Sequence, residues 1–218
     1  MQENERNQNR KSSESDSPFA RGIGLKARCR GPGIEAKDYS GRAFEILQAL
    51  AEAGALTHKG AEILLGNKRW AANKALTALW YAGMANWYDV ISETGVFRLW
   101  VPAETVVVKN PQEACRLAAL GLFYALAKNE VPGFKWRMIR NGKNGVTAEM
   151  HFTISGNTTQ WIIDAPRRDE DPVPHSDVYI FPTINEGKTL TPAGKMYTAD
   201  ELLFTPGELR RKIFQRTS

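Results

Sequence analysis

The chain is poor in the residues that metal centres, disulfide frameworks and membrane spans require. Only two of its 218 residues are cysteine, and neither Cys29 nor Cys115 belongs to a C-x-x-C pair or lies near a histidine cluster, which argues against a disulfide framework and a structural zinc site. The three histidines, His58, His151 and His175, lack metal-ligand spacing, and His58 reads as a surface or capping residue. No serine occupies a G-x-S-x-G elbow, and no glycine-rich loop ends in Lys-Ser or Lys-Thr. No apolar run approaches the roughly 18–20 residues that cross a bilayer, and the first thirty residues have no apolar core of signal-peptide type. The expectation is a soluble, unexported protein of a reducing cytoplasm, with no membrane partner, metal or cofactor.

A large excess of basic over acidic residues, or the reverse, is also missing. Lys and Arg number 29 against 24 Asp and Glu, a formal charge of +5 with a pI near 9.2. Such a balance permits a nucleic-acid partner without requiring one, so local patches decide. With 42% hydrophobic and 10% aromatic residues, the length suits one medium domain or two small ones.

Residues 1–38 are polar and rich in Asn, Gln, Ser, Glu and Arg, and composition predicts a disordered tail. Between residues 21 and 37, Arg21, Lys26, Arg28, Arg30 and Lys37 face only Glu35. Such a segment serves either as an arm along phosphates or in a minor groove or as a solubilising tail. Gly22 and Gly24 form a lone G-x-G with no strand before it, too little for a nucleotide loop.

Residues 39–108 change character. Phe44, Leu47, Leu50 and Ala51 fall at helical spacing, with Gly54 as a stop. A short second helix follows around Lys59 to Leu65, closed by Gly66, and Asn67 can cap a third helix running to Tyr81, with Gly83 beyond it. Met84 to Ile91, the turn Ser92-Glu93-Thr94-Gly95 and Val96 to Val101 read as a hairpin. Three helices and a hairpin make the outline of a winged helix-turn-helix.

The third helix divides into two faces. Ala72, Ala75, Leu76, Leu79 and Gly83 fall on one side, and Trp70, Asn73, Lys74, Thr77 and Tyr81 on the other. Lys68 and Arg69 stand at its first turn, and no acidic residue occurs from Asn67 to Tyr81. These side chains suit a major groove: Lys and Arg engage phosphates or guanine, Asn pairs with adenine, and Thr meets a thymine methyl. The candidate DNA-binding set is therefore Lys68, Arg69, Trp70, Asn73, Lys74 and Thr77, joined by Arg98 on the returning strand. Glu93 at the hairpin tip departs from a basic DNA-contacting wing. The same outline also serves protein docking, for which Trp70 and Tyr81 are the candidate contacts.

Residues 109–218 read as an α/β domain. Asn110, Pro111 and Glu113 start a helix to about Asn129 that is apolar nearly all round, and Cys115 inside it reads as a core thiol. Alternation predicts strands over Phe134 to Met138 and Val146 to Ile154, joined by the turn Asn141 to Gly145, then Thr158 to Asp164 and Val178 to Phe181. The charged loop around Arg167 to Asp171 reads as solvated, and Thr205-Pro206-Gly207-Glu208 as the cap of a final basic helix. Helix, three-strand meander and a fourth strand are compatible with restriction-endonuclease-like nucleases, whose carboxylates hold magnesium beside a lysine. Glu149, Asp164 and Lys188 are the residues such an enzyme has here. The third strand lacks the acidic-x-Lys triplet, and Asn185-Glu186-Gly187 reads as a turn.

The segment Gly41 to Val101 looks like winged-helix DNA-binding domains, with Asn67-Lys68-Arg69-Trp70 opening its third helix, Ala82-Gly83-Met84 closing it and Phe97-Arg98-Leu99-Trp100 returning. With Pro111 to about Phe204 added, the whole resembles the replication-relaxation proteins of Gram-positive plasmids and conjugative elements. That resemblance implies an α+β protein: a winged helix followed by a small α/β domain, its mainly antiparallel four-stranded sheet similar to a degenerate restriction-endonuclease-like fold. It implies a non-enzymatic, double-stranded DNA-binding accessory in plasmid replication or conjugative transfer, with a relaxase, a replication protein or a second copy of the chain as further partner. A metal-dependent nuclease or nickase and a protein-docking adaptor are the alternatives.

Overall fold

The computed structural model describes residues 17–34, 41–104, 108–131, 133–140, 145–154 and 156–217. Lys37, Glu35 and the rest of the expected tail before Ser17 and after Ile34, and the turn residues 141–144, lie outside the described residues. The architecture is mixed α+β, with six α-helices and two sheets among the described residues.

Helix α1 (Gly41–Ala53) buries Ala43, Ile46, Ala49, Leu50 and Ala53, a single stripe at helical spacing. The two-residue strand β2 (Leu56–Thr57) leads into α2 (His58–Leu64), whose first turn is capped by the Thr57 hydroxyl accepting from the Gly60 amide at 3.2 Å. Helix α3 (Arg69–Tyr81) follows, then strands β3 (Ala85–Ser92) and β4 (Gly95–Pro102), joined by a tight turn at Glu93 and Thr94. The expected cap of α3 is different: Asn67 adopts a left-handed conformation with φ of 61°, and Lys68 takes the cap position without a side-chain bond. An amide side chain tolerates that conformation at the end of α2, so Asn67 closes one helix instead of opening the next.

Residues 17–34, assigned by composition to a disordered tail, are instead ordered on the fold. Strand β1 (Gly22–Leu25) pairs antiparallel with β3, which makes a four-stranded antiparallel sheet of order β1-β3-β4-β2. Phe19 is buried against Phe97 and Phe204. Backbone pairing along an open sheet edge is available to any sequence, and composition is blind to it.

Helix α4 (Pro111–Glu130) is the centre of the molecule. Asn110 caps it by accepting from the Glu113 amide at 2.8 Å, and nearly every residue from Glu113 to Ala127 is buried. It meets α2, β1, β2 and β3 from the first half of the chain and strand β6 (Val146–Ile154) from the second. One hydrophobic core accordingly runs from Phe19 to Leu209. Each large aliphatic or aromatic side chain so buried contributes roughly 1.5–3 kcal/mol.

The second sheet holds six strands in the order β10-β9-β8-β7-β6-β5, where the sequence predicted four. Strands β5 (Lys135–Arg140), β6 and β7 (Asn157–Asp164) form the antiparallel meander, and β8 (Val178–Phe181) lies parallel to β7. A short helix, α5 (Ile184–Leu190), then leads to β9 (Met196–Ala199), parallel to β8. Helix α6 (Asp200–Phe204) precedes a 3₁₀ turn at Leu209–Arg211, all that forms of the expected final helix, and β10 (Phe214–Gln215) pairs antiparallel with β9. The predicted turn at Asn185-Glu186-Gly187 is the first part of α5, held by a capping box between Thr183 and Glu186. Gly187 is there because a Cβ at that position would approach the Tyr197 ring to 2.5 Å.

The loop after β7 also departs from expectation. Arg167 is fully buried, donating to Asp200 at 2.6 Å, to the Ile180 carbonyl at 2.6 Å and to the Phe19 carbonyl at 3.2 Å. The Ser17 hydroxyl donates to the same Asp200 oxygen at 2.6 Å. A run of charges normally stays in solvent, but here one arginine joins the N-terminal segment, β8 and α6 through carbonyls that need a donor.

Candidate nucleic-acid interface

Helix α3 packs Ala71, Ala72, Ala75, Leu76 and Leu79 into the core, a face of mostly small side chains that lets α1 and α2 approach closely. Its opposite face is exposed from one end to the other: Arg69, Trp70, Asn73, Lys74, Thr77 and Tyr81. At 1.5 Å per residue this stripe is about 18 Å long. Trp70 is 62% exposed and Tyr81 47%. The helix carries no acidic side chain, so amide, hydroxyl and ammonium groups meet solvent with no internal carboxylate to neutralise them.

The guanidinium of Arg42, on α1, lies over the Trp70 ring at 5.1 Å from its centroid. Nothing in the spacing of either helix reveals this pair, which forms only when α1 packs on α3. Near the other end of the stripe, Trp80, Trp87 and Trp100 make a chain of rings with centroids 4.8 and 5.0 Å apart. Arg98 lies over Trp87 at 4.2 Å and donates through Nε to the Asp89 carboxylate at 3.3 Å. The structure thus brings Arg98 beside Trp87, and through the tryptophan chain to the end of α3, on an exposed part of the sheet.

The hairpin tip has another occupation. Glu93 pairs with Arg168 at 3.0 Å, and the Thr94 hydroxyl donates to the Ser17 carbonyl at 3.2 Å. The acidic tip is thereby a contact within the chain, joining the hairpin to the loop after β7.

Two of the basic residues in the expected arm are similarly engaged. Arg21 pairs with Asp169 at 2.7 Å, and Arg28 donates to the Pro102 carbonyl at 2.7 Å and to that of Ala103. Lys26 and Arg30 remain exposed. The segment then crosses the end of α3, where the Ile34 amide donates to the Tyr81 carbonyl at 2.8 Å. Gly31 makes the crossing sterically feasible, since a Cβ there would lie 1.7 Å from the Trp80 carbonyl oxygen.

The carboxylates considered for nuclease chemistry are each held by protein partners. Glu149 accepts from Arg137 at 2.7 Å and from Gln160, and lies 3.2 Å from His151 Nε2. Hydrogen bonding from Arg137 keeps its carboxyl below the usual carboxylate range. Asp164 is fully buried, pairs with Arg116 and accepts from the Val173 amide at 2.8 Å; burial pushes its carboxyl upward. Lys188 is exposed on α5. Among the described residues no group of three or more His, Cys, Asp or Glu side chains is placed to hold a metal ion, and no helix is long and apolar enough to cross a membrane. Cys115 is fully buried, which pushes its thiol up to about 12.

Comparison of the chain with protein-family models, with curated proteins and with solved structures finds no match.

Proposed function

We propose that the protein binds double-stranded DNA through the exposed face of α3. The observation that carries this reading is the uninterrupted stripe Arg69, Trp70, Asn73, Lys74, Thr77 and Tyr81, free of acid and flanked by Lys68 and Arg98. Its width and chemistry suit a major groove, which admits one helix and is read by amide and cationic side chains. The order of helices and strands, with β2 paired to β4 and β4 to β3, supports a winged-helix interpretation of the first half. The α4, β5, β6, β7 succession with β8 parallel to β7 is compatible with a nuclease-like scaffold for the second half. A role as accessory to a bacterial plasmid or conjugative element, acting with a relaxase or replication protein, rests on the resemblance in element order alone.

The two kinds of contact separate by mutation. Asn73→Ala removes a base-reading side chain and relaxes sequence preference, while leaving the salt dependence of binding unchanged. Loss of a phosphate contact, by contrast, weakens binding to all sequences alike. Unaltered preference and affinity in both Asn73→Ala and Lys74→Ala would remove α3 as the reader.

One observation favours a second reading, docking of another protein. Ile34, Tyr81 and Met84 are 62%, 47% and 39% exposed, and the Ile34 backbone is bonded to that of Tyr81, so apolar surface gathers at the end of α3. This reading predicts a stable hetero-complex and only weak, nonspecific DNA affinity.

A further inference from the structure

We infer that Arg42 and Arg98 are a pair of phosphate clamps at the two ends of the α3 face, each held in place by an indole ring. The inference rests on the DNA-binding reading and assigns the phosphodiester backbone to a residue outside the third helix and the hairpin. Arg42 belongs to α1, is exposed, and has no carboxylate partner among the described residues. Its guanidinium lies over Trp70, the first aromatic residue of α3. Arg98 lies over Trp87, which is in ring contact with Trp80 near the end of α3. Its Nε serves Asp89, and its Nη groups have no partner among the described residues.

Stacking and phosphate binding use different parts of a guanidinium. The ring quadrupole attracts the planar face, while the N–H groups point outward in the plane, where a phosphate accepts two of them. Stacking also restricts a long side chain before binding, so less rotamer entropy is lost on contact. Trp70 and Trp80 are ten residues apart, about 15 Å along the helix, so the ring beneath Arg42 and the ring that touches the platform of Arg98 lie toward opposite ends of α3. A duplex docked on the α3 face therefore meets one stacked arginine toward each end of the helix. On this view the exposed indole of Trp70 is a platform for Arg42 and not a patch awaiting a protein.

The test is the slope of log affinity against log salt for a labelled duplex, measured on the full chain. Each phosphate contact contributes about 0.9 to that slope. Arg42→Ala and Arg98→Ala are each expected to reduce its magnitude by about one, and the double variant by about two, with losses equal across duplex sequences. Arg42→Lys retains the charge but loses the planar stack, so it is expected to keep the slope and weaken binding. Thermal melting of Arg42→Ala, altered at an exposed position, shows whether the fold persists. A wild-type chain that binds with a steep slope, alongside an Arg42→Ala variant with the same slope, overturns the clamp and leaves the DNA reading intact. Absence of salt-dependent duplex binding by the wild-type chain overturns both.

Discussion

The Glu93 carboxylate, at the tip of the β3–β4 hairpin, lies 3.0 Å from the Arg168 guanidinium, which also bonds Glu186 at 3.0 Å. An acidic residue that looks misplaced on a DNA-contacting wing has a use inside the chain, where it ties the hairpin to the loop between β7 and β8. Both partners are partly exposed, so the pair alone contributes at most about 1 kcal/mol. Glu93→Ala is expected to lower stability by that amount or less in urea melts and to leave duplex affinity within about twofold. A tenfold gain in duplex affinity for Glu93→Lys would show instead that the tip reaches the nucleic acid.

Arg167 and Asp200 form a pair with both side chains fully buried. Removing one partner strands the other in a low-dielectric interior, at a cost of roughly 3–5 kcal/mol. Arg167→Ala should show a loss of that order in chemical denaturation, together with earlier proteolysis of the Ser17 to Ala20 segment, whose Phe19 carbonyl Arg167 also holds. A loss under about 1 kcal/mol would mean that the network is not holding these elements together.

How much of this was readable beforehand depends on which interactions are local. Helices α1 to α4 and strands β3 to β8 carry their own punctuation: Gly54 and Gly66 after their helices, Asn110-Pro111 at the start of α4, and alternation along β6. The two faces of α3 follow from helical periodicity, so its exposed stripe was legible residue by residue. The ordering of residues 17–34 was not, because it comes from backbone pairing with β3 and from the fit of Gly31 over the Trp80 carbonyl. Arg42 was missed for a related reason, since its partner Trp70 is 28 residues away on another helix. Buried Arg167 misled in the opposite direction, because a charged run normally marks solvent and only the long-range contacts with Phe19 and Asp200 reveal otherwise.

Acid sensitivity offers a third check. The Glu149 carboxyl is lowered from 4.5, chiefly by hydrogen bonding from Arg137. A group whose value is lower in the folded state contributes stability above its ordinary value, and that contribution disappears as pH falls through the lowered one. Below about pH 4.5 the wild-type chain should lose stability more steeply than Glu149→Gln, which has no proton to gain. Parallel stability curves for the two chains across that window would refute the lowering of the Glu149 carboxyl in the folded chain.

The central claim is that α3 reads duplex sequence, and it is tested most directly by fluorescence anisotropy on a pool of double-stranded fragments that includes DNA around the protein's own gene. Titrations from about 50 to 200 mM salt cover the window in which phosphate contacts show their slope. The account predicts a steep loss of affinity for every fragment, with one fragment keeping its advantage over the pool as salt rises. Equal and weak binding of all fragments throughout would contradict it and leave the α3 face as a surface for another protein.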